Sequence, residues 1–148
     1  MRNPYKLRVT EIAFAIAEET YALTVQFPAT ERFGLVTQMR RAAVSIGSNI
    51  AEGCGRSTDA QLANFLNYAI GSASELEFQA RLAMRLGLGN TLQLTELCEL
   101  LTSERKMLAT LCRRFAVLKA VPRPGSEASA PFPVQRAPAR VPSPVDLR

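Results

Sequence analysis

Histidine and tryptophan are absent from this sequence of 148 residues. The lack of histidine removes the commonest general base and the commonest metal ligand, and it excludes Ser-His-Asp and Cys-His catalysis by this chain alone. Cysteine is scarce, since only Cys54, Cys98 and Cys112 occur, and no CxxC pair is present. We therefore predict reduced thiols packed as small apolar groups, with no disulfide framework, no metal site and no cofactor.

Long apolar runs and nucleotide-binding loops are also missing. No run approaches the ~20 apolar residues that a membrane-spanning helix needs. Near the start of the chain, Glu11, Glu18 and Glu19 interrupt the apolar stretch, so a signal peptide is not predicted. Neither a Walker loop nor a GxGxxG turn occurs. We expect a cytoplasmic protein with no membrane partner and no enzymatic activity.

Proline is scarce in the first 121 residues and abundant after them. Residues 1–121 contain only Pro4 and Pro28, whereas residues 122–148 hold seven prolines and four arginines. A segment of that composition cannot bury enough apolar surface to order itself, which predicts a disordered or polyproline-like tail. The sequence therefore divides into a bundle domain, residues 1–121, and a Pro/Arg-rich tail, residues 122–148.

Apolar residues recur at spacings of three and four in four segments of the first 121 residues, as on one face of a helix. No segment shows the period of two that is typical of a strand. Four amphipathic helices with short loops predict an all-α, antiparallel up-down-up-down four-helix bundle. At the helix ends, Thr30, Ser57 and Thr91 are the predicted caps of the second, third and fourth helices, and Gly53 and Gly55 end the second.

The stretch QMRRAAVSIGSNIAEGCGRS, residues 38–57, puts small and polar residues on several sides of the second helix. One polar stripe contains Arg41, Ser45, Ser48, Asn49 and Glu52, and a second, mostly small stripe contains Arg40, Val44, Gly47 and Ala51. The third helix carries a comparable polar line: Asn64, Tyr68, Gly71, Ser72, Glu75 and Gln79.

Three interpretations of these stripes remain open. In the structural one, small residues let two helices approach closely, and Arg41 pairs with Glu52 or Glu75 inside the protein or across a subunit boundary. In the second, the arginines point outward toward phosphates. In the third, Glu52 and Glu75 act as acid and base, although nothing in the sequence brings a substrate to them.

Two blocks of this sequence resemble a known family. The pattern RRAA-SI--NIAEG-GR at residues 40–56, preceded by Gln38, and the pattern A-GS--EL at residues 69–76 are similar to the four-helix-bundle proteins encoded in intervening sequences of bacterial 23S ribosomal RNA genes. A more distant similarity is to the accessory protein of diversity-generating retroelements, which engages nucleic acid and a reverse transcriptase. The tail has no counterpart in the family's core.

The resemblance implies a basic bundle that assembles with copies of itself, with a ring of five as the expected number. Members of the family have no established enzymatic activity, and their genetic context suggests RNA. The residues of the family motif that would form an assembly seam are Gln38, Arg41, Ser45, Asn49, Glu52, Gly53, Ser72 and Glu75.

The charge of the chain is compatible with such a role, since the net charge is +5 and the isoelectric point is near 9.6. A ring would repeat one basic patch several times, and weak phosphate contacts would then add. We expect RNA, or less readily DNA, to be bound through phosphates. The candidate contacts are Arg40, Arg41, Arg56, Arg113, Arg114 and Lys119. An equal interpretation of the last three is that they complement the dipole at the C-terminal end of the fourth helix. The alternative hypothesis is a protein-interaction scaffold that displays the tail to a partner and has no nucleic-acid role.

Overall fold

Four long helices make up the part of the chain that the computed structural model describes, residues 2–117. They are α1 (Arg8–Thr24), α2 (Leu35–Gly55), α3 (Asp59–Arg85) and α4 (Thr91–Val117), and single 3-10 turns cover Pro4–Lys6 and Ala29–Glu31. The described residues include no strand. Each helix packs against the next, and α1 also packs against α4. The predicted up-down-up-down bundle is confirmed, whereas the predicted tail lies outside the described residues.

The core is the place where the apolar stripes of the four helices meet. Because the stripes recur every three or four residues, each helix buries one side and leaves the other to solvent. A fully buried leucine or isoleucine contributes roughly 1.5–3 kcal/mol relative to an exposed one. The largest fully buried apolar side chains are Ile16, Met39, Ile46, Ile50, Leu62, Leu66, Leu76, Leu94, Leu97, Leu101 and Leu108. None of the helices described is apolar enough over a sufficient length to cross a bilayer.

The start of the second helix differs from the prediction that placed its cap at Thr30. Residues 29–31 form a separate 3-10 turn, and α2 begins only at Leu35, after Gly34. The first free backbone N–H of α2 is satisfied from outside the helix, because Leu35 N donates to the Glu31 carboxylate at 3.2 Å. Glu31, in the preceding 3-10 turn, therefore acts as the cap of α2.

The caps of the third and fourth helices are each one residue away from the predicted ones. Thr58, not Ser57, precedes α3, and its hydroxyl accepts a hydrogen bond from Gln61 N at 3.2 Å. Asn90 precedes α4, and its side-chain oxygen accepts from Gln93 N at 3.1 Å. Neighbouring Ser, Thr and Asn residues are equivalent caps on sequence grounds, so only the backbone geometry selects one of them.

The loop between α3 and α4 reverses the chain with two glycines. Gly87 and Gly89 have φ values of +70° and +67°, a region that favours glycine. The N–H of Leu88 bonds to Ala83 O at 2.9 Å and that of Gly87 to Met84 O at 3.1 Å, which is the Schellman arrangement for ending a helix. At Gly89 an added Cβ would lie 2.6 Å from the Phe27 ring, so the loop packs closely on the end of the bundle.

Candidate functional site: the α2–α3 polar seam and the arginines around it

The polar residues of the family motif meet where α2 packs against α3 within one chain. The hydroxyl oxygens of Ser45 and Ser72 lie 2.9 Å apart, in hydrogen-bonding contact between the two helices. The Asn49 amide donates to Ser45 at 2.8 Å for the backbone oxygen and 3.0 Å for the hydroxyl. Ser72 also donates to Tyr68 O at 3.1 Å. These side chains therefore satisfy one another inside the bundle.

A small polar cavity lies beside these hydrogen bonds. It has a volume of about 210 Å³ and is lined by Gln38, Arg41, Ala42, Ser45 and Glu75. The Glu75 carboxylate accepts a hydrogen bond from Gln79 at 3.2 Å. Four of the residues predicted to form an assembly seam thus line one cavity, and two of them are charged: Gln38, Arg41, Ser45 and Glu75.

The ion pairs of this region differ from the predicted ones. Glu52 pairs with Arg56, one turn further along α2, at 2.5 Å, and both side chains are exposed. Among the described residues Arg41 is exposed and makes no ion pair with Glu52 or Glu75. Within residues 2–117, a buried pair involving Arg41 is therefore not formed. The reason is geometric, because Arg56 is four residues from Glu52 and Arg41 is eleven residues away.

Glu52 and Glu75, the acid and base of the third interpretation, lie at different levels of the contact between α2 and α3. Glu75 lines the cavity at the level of Ser45 and Gln38, whereas Glu52 lies seven residues beyond Ser45, a distance of about 10 Å along α2. In the described residues, no group of three or more His, Cys, Asp or Glu side chains is placed to hold a metal ion.

Gly53 lies at a close contact between α2 and α3. A Cβ added there would lie 2.9 Å from Leu62 Cδ1 and 2.9 Å from Phe65 Cβ. Real Cβ atoms do not tolerate such distances, so a larger residue at this position would separate the two helices. The seam therefore combines a glycine contact near the end of α2 with polar contacts near its middle.

Five of the six basic candidates lie within the described residues, and they fall into two groups at different levels of the bundle. Arg40 and Arg41 lie in the first half of α2, and Arg56 lies fifteen residues after Arg41, about 22 Å further along. Arg113 and Arg114 lie in the last turns of α4, at the same end of the bundle as Arg56. Lys119 lies outside the described residues.

Arg40 and Arg56 make intramolecular contacts that reduce their freedom to bind a phosphate. The Arg40 guanidinium donates to the Thr24 hydroxyl at 3.0 Å and lies 4.6 Å from the centre of the Tyr21 ring, which ties α2 to α1. Arg56 lies 4.9 Å from the Phe65 ring centre in addition to its pair with Glu52. Arg41, Arg113 and Arg114 are exposed and form no ion pair with a described residue.

Arg2 joins three helices at the Arg56 end, a role that the sequence did not reveal. Its side chain pairs with Asp59 at the start of α3 and stacks 4.9 Å from the ring centre of Phe115 on α4. Its backbone N–H bonds to Cys54 O at 3.2 Å on α2. No periodicity signals this contact, because Arg2 lies before the first helix.

A groove between the start of α1 and the last part of α4 was also not predicted. It has a volume of about 360 Å³. Its apolar lining residues are Leu7, Val9, Met107 and Leu111, and Arg8, Lys106, Thr110 and Arg114 complete it. The α4 side of this groove could have been predicted from the sequence. Lys106, Thr110 and Arg114 are spaced four residues apart, which places them on one side of a helix.

The cysteines are free thiols. Cys54 and Cys98 are buried and Cys112 is half-buried. Burial raises the pKa of both Cys54 and Cys98, which keeps these thiols protonated and weakly nucleophilic.

The fold and the seam define a small antiparallel four-helix-bundle protein in which the motif residues join the second and third helices. The family model described as "23S rRNA-intervening sequence protein" matches residues 5–110, and the chain belongs to that family. None of the curated proteins matches this sequence.

A solved structure supports the same fold. It is the crystal structure of a protein of unknown function from the S23 ribosomal protein family of Bacteroides thetaiotaomicron. The two chains are 25% identical, with a TM-score of 0.64, and the match covers 71% of this chain and 98% of the other. The similarity therefore extends over nearly the whole of that protein.

Proposed function

We propose that this protein is a non-enzymatic bundle that assembles with copies of itself and binds structured RNA through phosphate groups. The proposal that the protein binds RNA rests on the exposed residues Arg113 and Arg114 in the last turns of α4. Arg56 lies at the same end of the bundle. No aspartate or glutamate occurs between residues 105 and 117 to neutralise them. The family description, which refers to ribosomal RNA, supports RNA over other anions.

Phosphate recognition would carry little sequence information. Arginine binds phosphate oxygens in a planar, bidentate manner, and such contacts position a protein without reading bases. Double-stranded RNA is recognised mainly by its shape and backbone. A homo-oligomer, with a ring of five as the expected form, would present Arg113 and Arg114 once for each copy, so that weak contacts add. The proposed compartment is the cytoplasm, where the three thiols would stay reduced.

Fluorescence anisotropy with a labelled structured RNA, measured across salt concentrations, tests the RNA proposal. We expect binding that weakens steeply with salt, because each neutralised phosphate releases a counterion. Changing both Arg113→Ala and Arg114→Ala should reduce the slope of log K against log salt by about 2 and weaken binding to all sequences alike. A DNA duplex of the same sequence serves as the comparison ligand.

The matched control is Arg85→Ala, which removes an exposed arginine at the opposite end of the bundle. It should leave the salt slope unchanged. Binding that is insensitive to salt would exclude phosphate recognition. An equal loss in Arg85→Ala and in the single variant Arg114→Ala would show that net charge, and not the end of α4, sets the affinity.

A protein-interaction scaffold is the second candidate function, and one groove favours it. Between α1 and α2 lies a cavity of about 280 Å³ whose ten lining residues include no charged side chain. Tyr5 and Phe14 at this groove are 67% and 50% exposed. Exposed aromatic residues around an uncharged groove are typical of protein contacts. Deleting residues 122–148 distinguishes the functions, since a scaffold that displays the tail would lose its partner and an RNA-binding bundle would keep its affinity.

A further inference from the structure

The groove between α1 and α2 is open to solvent, and we call it the α1–α2 groove. Its rim includes Tyr5, Phe14 and Val44, which are 67%, 50% and 46% exposed. Its floor includes Ala13 and Ala43, two small side chains that are buried. Aromatic and aliphatic side chains on the rim of an uncharged groove lose contact with water when another segment covers them, and that burial is favourable. The α1–α2 groove therefore has the properties of a docking surface.

A buried hydroxyl at the α1–α2 groove lacks a hydrogen-bond partner. Thr10 lines the groove and is 4% exposed, and its hydroxyl oxygen makes no hydrogen bond with a described residue. Thr20 and Thr24, by contrast, each donate to the backbone oxygen one turn earlier in α1. Leaving a buried hydroxyl unpaired is unfavourable. A threonine in a helix adopts two rotamers, so rotation about χ1 of Thr10 would present its hydroxyl to an acceptor in the groove.

One segment of the tail has the composition of an occupant for this groove. Residues 128–135, ASAPFPVQ, form the longest uncharged run after residue 121, between Glu127 and Arg136. Phe132 is the only aromatic residue of the tail, and a proline stands on either side of it. Segments of this kind favour the polyproline II conformation, in which the backbone oxygens make no internal hydrogen bonds and remain available as acceptors. In that conformation, proline-rich segments bind to grooves lined by aromatic side chains.

The tail leaves the bundle close enough to the α1–α2 groove to reach it within one chain. The last helix ends at Val117, and Phe132 follows fifteen residues later. Fifteen residues in a polyproline II conformation span about 46 Å. Arg2 stacks on Phe115 near the end of α4, and only three residues, or about 11 Å of extended chain, separate Arg2 from Tyr5 at the groove. The start of the groove is therefore well within the reach of the segment.

We propose that residues 128–135 bind in the α1–α2 groove of their own chain, with the Phe132 side chain against Tyr5 and Phe14. The three aromatic rings then leave water together, and a backbone oxygen of the segment accepts a hydrogen bond from the Thr10 hydroxyl. A short connection within one chain keeps the effective concentration of the segment at the groove in the ~mM range. A modest intrinsic affinity is therefore sufficient to keep the groove occupied.

This contact goes beyond the proposed function, and it depends neither on RNA binding nor on assembly. Because it lies within one chain, it imposes no symmetry and is compatible with any number of copies, including five. The residues that line the groove do not include Arg113 or Arg114, which stay available at the end of α4. A protein that binds to the α1–α2 groove would first have to displace the segment, so the tail competes with such a partner.

A tryptophan in the tail tests the proposal on the full chain, because the sequence contains no other tryptophan. In the Phe132→Trp variant we expect blue-shifted emission and protection from quenching by acrylamide. The matched control is Val145→Trp, which places the reporter in the tail but outside the segment. Its emission should be that of a solvated tryptophan, with a quenching constant several-fold higher. If the two variants are quenched equally, the segment is not covered and the proposal is wrong.

Charges on the rim of the groove identify the surface that protects the reporter. Val44→Glu with Ser48→Lys, added to the Phe132→Trp chain, changes two exposed residues in the order that stabilises a helix and leaves the net charge unchanged. Quenching should rise to the level of Val145→Trp, since the segment would have to desolvate both charges. The matched control, Ser74→Glu with Phe78→Lys, makes the same exchange on exposed positions of α3 and should keep the protection. Protection that survives the groove pair, or that both pairs abolish equally, would place the segment elsewhere.

A mixing experiment distinguishes binding within one chain from binding between copies. The Phe132→Trp chain with the groove pair is unfolded and refolded together with an excess of Phe132→Ser chains, whose grooves are intact. We expect the reporter to stay unprotected, because its own groove is blocked. Recovery of protection would show that the segment binds the groove of another copy, and it would overturn the inference of a contact within one chain. RNA affinity and particle mass are measured separately, so the proposed function can fail without affecting this result.

Discussion

Replacing Glu104 with methionine is expected to raise the free energy of unfolding at pH 7 by about 3 kcal/mol. Glu104 lies on α4 and is fully buried, at 0% exposure, and neither carboxyl oxygen has a hydrogen-bond partner among the described residues. Burial raises the pKa of this carboxyl from 4.5 to about 8. Methionine has a similar length, removes the ionisable group and adapts its shape to the core.

The pH dependence of stability follows from the direction of this shift. Below about pH 4.5 the carboxyl is protonated in both the folded and the unfolded chain, and its pKa contributes no penalty. Between pH 4.5 and about 8, the unfolded chain releases the proton while the folded chain retains it. Stability therefore falls as pH rises, by about 1.4 kcal/mol per pH unit, and levels off above pH 8.

Urea unfolding of the wild type and of the Glu104→Met variant at several pH values between 4.5 and 9 measures the effect. The matched control is Glu104→Gln, which keeps the size and polarity of the side chain but cannot ionise. Both variants should lose this component of the pH slope, and only methionine should also relieve the cost of burying an unpartnered polar group. A wild-type slope that persists in both variants would show that other groups cause it.

Gly53→Ala is expected to lower the free energy of unfolding by about 2 kcal/mol, although alanine favours helices more than glycine does. The added Cβ would lie 2.9 Å from Phe65 Cβ, which cannot rotate away because it is next to the α3 backbone. To relieve this overlap, α2 must move from α3, and the Ser45–Ser72 contact at 2.9 Å would lengthen. The change acts on the seam without touching any of its polar groups.

Gly71→Ala and Gly55→Ala are the matched controls for this prediction. An added Cβ meets nothing within 4 Å at either position. Gly71→Ala, in the interior of α3, should therefore stabilise the protein by roughly 0.5–1 kcal/mol. Chemical denaturation of the three variants gives the comparison. If Gly53→Ala proved as stable as Gly71→Ala, the close approach of α2 and α3 would not be a constraint on this protein.

The residues of the family motif hold α2 and α3 together in the bundle, and this role does not require a ligand. Ser45, Asn49 and Ser72 hydrogen-bond to one another, and Gly53 permits the contact between α2 and α3. The close contact of two helices in the structural interpretation of residues 38–57 is thus found within one chain, whereas its ion pair of Arg41 with Glu52 or Glu75 is not among the pairs of the described residues. Its extension to a boundary between subunits stays a prediction.

The local sequence was sufficient to predict four helices and their buried sides. A helix presents residues three and four apart on one side, so stripes such as Leu62, Leu66, Ala69, Ala73 and Leu76 indicate a core before any partner is known. The exact caps were not predictable in the same way. Ser57 and Thr58 are equally good caps in sequence, and only the entry angle of the chain decides between them.

Residue types, charges and helical periods are properties of the chain itself, and they determined the fold class, the family and the list of arginines. Which arginines remain available was decided only by the tertiary structure. Arg40 is held by Tyr21, nineteen residues earlier, and Arg2 pairs with Asp59, fifty-seven residues later. The burial of Glu104 arises in the same way. Each depends on which helices become neighbours, because electrostatic and desolvation energies are set by distances in space and not by spacing along the chain.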